Sequence, residues 1–183
     1  MNRKEIALYL RIKGEMDENT SLLVDRVYPI AEKTPALFRE ARYDIFPTEE
    51  GVGLSGTDVV LRGNLVKRHF ADCRAIYVVL VSMGMQSERA IKAQYAVSPT
   101  AGLVLDACYS ENIERRLDEY EQKKKENGEK LTSRISCGYG DLPIETQAPL
   151  LKRLDADKIG VYENESHMLT PNKSVVALVG VKR

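Results

Sequence analysis

The sequence lacks most of the features that announce a chemistry. It holds three cysteines, Cys73, Cys108 and Cys137, far apart and without a Cys-x-x-Cys pair, and two histidines, His69 and His167. Together they make no zinc-ligand spacing, and the thiols read as free in a reducing compartment. No Gly-x-Gly-x-x-Gly follows a strand, so neither a dinucleotide fold nor the usual Rossmann methyltransferase loop is indicated. A phosphate-binding Gly-x-x-x-x-Gly-Lys-Ser/Thr loop is missing, and so is the Gly-x-Ser-x-Gly of a hydrolase. Neither charge sign dominates: 27 acidic and 27 basic residues give a formal net charge of zero. A broad electrostatic footprint for nucleic acid or an anionic membrane is therefore not expected. The longest apolar run, residues 75–81, is far shorter than the roughly 20 residues of a membrane-spanning helix. Met1 to Glu5 has a basic start, but no apolar run of signal-peptide length precedes Lys13 and Glu15. The expectation is a cytoplasmic domain with no catalytic residue and no metal of its own, in which any difficult reaction step falls to a bound cofactor.

What is present is a core. Apolar residues make up 43% of the 183, and the length suits a single domain over residues 1–183. An N-terminal helical portion is expected over residues 1–35. Ile6, Ala7, Leu10 and Ile12 lie at loose helical spacing, and a second helix opens at Thr20 or Ser21, whose hydroxyl can cap a first-turn amide. Pro29 removes a donor from that helix's interior. Residues 36–46 alternate Leu37, Ala41, Tyr43 and Ile45 with Arg39, Arg42 and Asp44, the pattern of a strand with one wet face. Gly51-Val52-Gly53 and Ser55-Gly56 read as turns, Val59-Val60-Leu61 as a short strand and residues 64–70 as a short helix.

Residues 75–82 form an unbroken, β-branched apolar run, which predicts a central strand buried on both faces. A helix over residues 88–97 follows. Ser98-Pro99 then restarts a helix with a capping hydroxyl and a proline at the first helical position. Ala101, Leu105, Cys108, Asn112, Ile113, Leu117 and Tyr120 mark its buried stripe. Past Leu117 it enters the mixed-charge stretch 115–130 and is expected to project into water. A strand over 131–135, a helix over 143–154 with Glu145 in its first turn, and a strand over 174–181 complete the chain. The predicted fold is α+β: a mixed, mostly antiparallel twisted sheet with flanking helices and one long helix over about 98–127.

Two features carry chemical interest. In Arg134-Ile135-Ser136-Cys137-Gly138-Tyr139-Gly140-Asp141-Leu142-Pro143, a strand exit brings an arginine, an aromatic ring and two glycines together. Arg134 can fork onto a carboxylate, Tyr139 can lie against a flat base or a cation, and the glycines allow close approach or positive φ. On the long helix, Asp106, Ser110, Glu114 and Asp118 are four apart and make one polar row, able to meet an ammonium or sulfonium group or simply to face water. His69 and His167 read as surface or core-edge residues, and Cys137 as packing.

The run Arg134-x-x-x-Gly138-Tyr139, then Pro143 with Leu150-Leu151, then Met168-Leu169-Thr170-Pro171-Asn172-Lys173-Ser174-Val175, resembles the reactivation domain of cobalamin-dependent methionine synthase. The strand ending in Ser82-Met83-Gly84 and the helix after Ser98 match that family's layout. The resemblance implies a cofactor, S-adenosylmethionine, and a cobalamin carried by a partner protein whose inactive cob(II)alamin is reduced and remethylated. It implies that Arg134 holds the ligand's carboxylate, Ser136 gives backbone contacts, Gly138 and Tyr139 shape the pocket wall, and Glu114 faces the ligand's amino group. The implied partner is a cobalamin-binding methionine synthase or other corrinoid protein, with a reductase or flavodoxin-like electron donor. The family's late ligand-facing tyrosine, beyond the last strand, has no counterpart here. That favours an alternative, a docking protein for a corrinoid protein that has lost S-adenosylmethionine binding.

Overall fold

A computed structural model describes all residues, 1–183. Two helices open the chain, α1 (Arg3–Tyr9) and α2 (Glu18–Lys33). Asp17 caps α2 through the Thr20 amide, and the helix runs through Pro29 to its end. Strands β1 (Leu37–Pro47), β2 (Gly51–Leu54) and β3 (Val60–Arg62) lead to α3 (Asn64–His69) and the long strand β4 (Cys73–Ser82). Helices α4 (Gly84–Val97) and α5 (Pro99–Glu126) follow, then β5 (Ile135–Ser136), α6 (Gln147–Arg153), the small hairpin β6 (Tyr162–Glu163) and β7 (Leu169–Thr170), and β8 (Ser174–Lys182). The main sheet has strand order β3-β2-β1-β4-β8-β5, and every pairing in it is antiparallel.

The two-residue period of a strand explains the layering. On β4, Ala75, Tyr77, Val79 and Val81 face one core, shared with α1, α2 and α5. Ile76, Val78 and Leu80 face a second core, built by β2, β3, α3, α6 and Leu142. β8 divides likewise, with Ala177, Val179 and Val181 on the first side and Val176 and Leu178 on the second. A strand apolar at every position is thus a strand with protein on both faces.

The long helix starts where Ser98 accepts the Ala101 amide, with Pro99 next to the cap. Ala101, Leu105, Cys108, Asn112, Ile113 and Leu117 are buried along it. Its end, expected in water, instead folds over the sheet. The Tyr120 ring packs edge-on against Tyr77, and the Lys124 ammonium lies 4.3 Å from the centre of the Tyr77 ring and 3.2 Å from Glu40. The expected strand over 131–135 is interrupted: Leu131 makes an isolated bridge to Val181, Thr132 takes the Gly180 amide on its hydroxyl, and only Ile135 and Ser136 pair as a strand. The helix expected from residue 143 opens with a 3-10 turn, Ile144–Thr146, before α6.

Gly51 and Gly53 are not turn residues, as expected from their type, but lie within the buried strand β2. Space, not turn geometry, selects glycine here. A Cβ on Gly51 would sit 1.9 Å from the Leu61 carbonyl oxygen, and one on Gly53 would sit 2.3 Å from the Phe46 ring. Because a backbone atom blocks Gly51, no rotamer change relieves it. Gly51→Ala is expected to cost about 1–3 kcal/mol, the usual penalty for overfilling a packed site, seen as a lower urea midpoint. An unchanged midpoint would contradict this account of the β2–β3 contact.

Candidate functional site

The polar row of α5 is real, and it faces protein. At its N-terminal end the Lys173 ammonium binds Asp106 at 2.9 Å and the Ser110 hydroxyl at 2.8 Å. At its C-terminal end the Arg134 guanidinium is surrounded by carboxylates. Its Nε and Nη2 donate to Glu114 Oε2 at 3.2 and 2.7 Å, and its Nη1 donates to Asp118 and Glu121, each at 2.7 Å. Four of its five N–H donors are committed, which leaves one Nη2 hydrogen. Burial works against the charged guanidinium, but the hydrogen bonds from Glu121, Glu114 and Asp118 outweigh it and hold the group above the ordinary arginine range.

Acid predominates around this pair. Glu111, fully buried, accepts the Asn2 amide at 2.7 Å and the Tyr28 hydroxyl at 3.1 Å, which anchors the start of the chain to α5. Burial raises the Glu5 carboxyl above its usual range, with repulsion from Glu114, Glu111 and Asp118 adding to it. Burial pushes the Tyr9 phenol up to about 12, helped by the charges of Glu114 and Glu5. Tyr139 also lies within electrostatic reach of Tyr9, so α1 brings a second aromatic ring to the region.

The turn after β5 places the remaining expected residues. Gly138 and Gly140 have φ of 87° and 57°, the left-handed region where glycine is favoured. The Gly138 amide donates to the Leu142 carbonyl, and the Tyr139 amide to the Ser136 carbonyl, so both N–H groups close the turn. Ser136 pairs with Ala177 in the sheet, and the Tyr139 side chain is 60% exposed. Asp141 accepts the Asn64 and Leu65 amides at 2.7 and 2.9 Å, which ties the turn to α3 and draws its carboxyl below the usual range. Cys137 packs against the second core, and burial pushes its thiol up to about 12, which keeps it protonated and inert. His69 binds the Ser133 carbonyl and His167 binds Glu163, each at 2.8 Å.

Arg134 and Glu114 are therefore in direct contact, and Ser136, Gly138 and Tyr139 line the adjoining turn. Glu121, Glu5 and Tyr9 join them without having been expected. Glu121 continues the row of Glu114 and Asp118, a signal hidden by the charged look of the stretch beyond Leu117. Chemically the cluster offers one guanidinium amid excess carboxylate, flanked by two phenol rings. Such a surface suits a ligand with more positive than negative charge and a flat group to lay on an aromatic ring.

No protein-family model matches the sequence, and no curated protein matches it. Among solved structures, the fold is similar to the crystal structure of the MetH reactivation domain bound to AdoHcy. The TM-score is 0.67 at 15% identity, and the match covers 96% of this chain and 72% of that one. At that identity the likeness is one of fold. No helix is long and apolar enough to cross a membrane.

The excess of acid has a consequence for stability. Glu5 has a raised pKa when folded, so its ionisation opposes folding as pH rises above its ordinary value near 4.5. Glu5→Gln is expected to raise the melting temperature at pH 7 and to have no effect near pH 3, where both variants are neutral at this position. Arg134→Met should do the opposite. It leaves Glu114, Asp118 and the nearly buried Glu121 facing one another, at a cost approaching the ~3–5 kcal/mol of a broken buried pair, and the loss should shrink as pH falls. Urea melts at both pH values check each sign.

Proposed function

We propose that the protein binds S-adenosylmethionine at the Arg134–Glu114 end of α5 and serves as the reactivation partner of a cobalamin-dependent methionine synthase or related corrinoid methyltransferase. The observation that carries this reading is the fold likeness, over 96% of the chain, to a MetH reactivation domain that was solved with AdoHcy. The chemistry of the cluster agrees with it. S-adenosylmethionine brings one carboxylate and two cations, an α-ammonium and a sulfonium, to a surface where one guanidinium lies among several carboxylates.

In this reading Arg134 exchanges a protein carboxylate for that of the ligand, and Glu114 turns to the ligand's ammonium. Ser136 supplies backbone contact through its strand edge, and Gly138 and Tyr139 form the wall beside the adenosine. S-adenosylmethionine supplies an activated methyl group, so this chain needs no acid, base or nucleophile. Its residues bind and orient, and fixing a donor in line with its acceptor can supply up to about 7–11 kcal/mol. The acceptor is the reduced corrinoid, which arrives on another protein, with electrons from a reductase or flavodoxin-like donor.

One observation favours the second reading, a docking protein without the ligand: the Arg134 guanidinium is already held by three carboxylates. Calorimetric titration separates the two. The protein is expected to bind S-adenosylmethionine saturably, and Arg134→Ala to weaken binding about tenfold or more, as for a lost charged hydrogen bond. Because Arg134 also supports the fold, Tyr139→Ala provides a second arm; its exposed ring can be removed without opening the core. Absence of saturable binding leaves only the docking role, and binding indifferent to both variants places the ligand elsewhere. With a cobalamin-loaded partner and a one-electron donor, the cobalt spectrum should change to that of the methylated corrinoid only when every component is present.

A further inference from the structure

α5 carries a second charged face, remote in character from the first. Between the start of β1 and the C-terminal half of α5 lies a cavity of about 420 Å³, lined by Pro35, Ala36, Phe38, Arg116, Glu119, Tyr120 and Lys123. That volume is within the range of about 300–1,000 Å³ usual for small-molecule sites. Its apolar part is the Phe38 ring, 42% exposed where a strand residue of this size is normally covered, together with Pro35 and the Tyr120 ring.

Its polar part is cationic and incompletely satisfied. Glu119 is shared, accepting Arg115 at 2.7 Å and Arg116 at 3.2 Å, so two guanidinium groups meet one carboxylate. Lys123 adds an ammonium to the same rim. Two polar atoms here are buried and have no hydrogen-bond partner, Nε of Arg116 and the hydroxyl of Tyr120. Buried polar groups in folded proteins are nearly always paired, so two donors without acceptors along one cavity indicate an acceptor that comes from outside the chain. The neighbouring Glu40 carboxylate is not that acceptor; it takes the Lys124 ammonium at 3.2 Å. Burial, with Glu40 nearby, raises the Tyr120 phenol well above its ordinary value, which keeps it a donor at any physiological pH.

We propose that this groove binds a small organic anion consisting of a flat apolar body and one carboxylate or phosphate, with the body on Phe38 and Pro35 and the anion on Arg116, Tyr120 and Lys123. The site is independent of the Arg134 cluster and of the function proposed above.

Backbone-amide NMR of the full chain tests it, with benzoate and phenyl phosphate as the two anionic probes, and benzyl alcohol and inorganic phosphate as the body and the anion alone. At least one aryl anion should give saturable shifts at Phe38, Arg116 and Tyr120; which of the two binds more tightly identifies the preferred head group. Each half-probe should bind about tenfold more weakly or worse. Arg116→Gln should weaken the aryl anion about tenfold, the loss of one charged hydrogen bond. Glu119→Gln should strengthen it, by removing the competing carboxylate, a gain that mere loosening of the helix would not produce. Shifts that never saturate, benzyl alcohol or inorganic phosphate binding as well as the aryl anions, or indifference to Arg116→Gln would each overturn the proposal.

Discussion

The arrangement depends on one constraint: the acidic row along α5 is half covered by protein and must be given cations. Carboxylates removed from water without partners are costly. Two distant segments supply the charge. Lys173, just before β8, takes Asp106 and Ser110, and Arg134, just before β5, takes Glu114, Asp118 and Glu121. Since β5 pairs with β8, these two bonds draw one edge of the sheet and its loops against the helix. The loop bearing Gly138 and Tyr139 follows directly from the anchored Arg134, and Asp141 fixes its far side on α3. A turn held at both ends presents its exposed ring in one place, which is the condition for binding a ligand without a large ordering cost.

An arginine already surrounded by acids is not thereby withdrawn from binding. Replacing one of its carboxylates with that of a ligand exchanges one charge-assisted hydrogen bond for another, so the change in energy at the guanidinium is small. The displaced side chain decides the balance. Asp118, the most exposed of the three partners, can turn to water at little cost, whereas Glu121 is nearly buried and would lose much more. The exchange that costs least therefore opens the outer side of the guanidinium and leaves Glu114 and Glu121 as its fixed support. A ligand that also carries positive charge recovers part of the cost at the acids it uncovers, while a simple carboxylate does not.

Much of this was legible in the residues, and the failures share a cause. The central strand was readable because burial on both faces removes all polar positions, and α5 because a cap, a proline and a regular stripe agree. The contact of Arg134 with Glu114 was partly visible: the four-residue spacing of Asp106, Ser110, Glu114 and Asp118 set out the row, although nothing local said what would meet it. Gly51 and Gly53 misled because glycine is chosen for conformation in turns and for space between close strands, and sequence alone does not distinguish the two. Glu121 and Lys124 looked solvated because a charged side chain reads alike whether it faces water or a partner from another element. Tyr9 and Glu5 joined the site only through the docking of α1, a tertiary event anchored by the buried Glu111.

Zero net charge conceals how charge is distributed around a single helix. Around α5, Glu114, Asp118 and Glu121 share one guanidinium on one side, while Arg115 and Arg116 share Glu119 on another. With about 100° between successive residues, neighbours in sequence such as Glu114 and Arg115 belong to different faces, so alternating signs along the chain become separated signs in space. Over distances shorter than the ~8 Å screening length of physiological salt, each face keeps its own sign, and the two can select ligands of opposite charge. A neutral composition therefore argues against a broad electrostatic footprint, as expected, but leaves room for small sites of either sign on opposite sides of one helix.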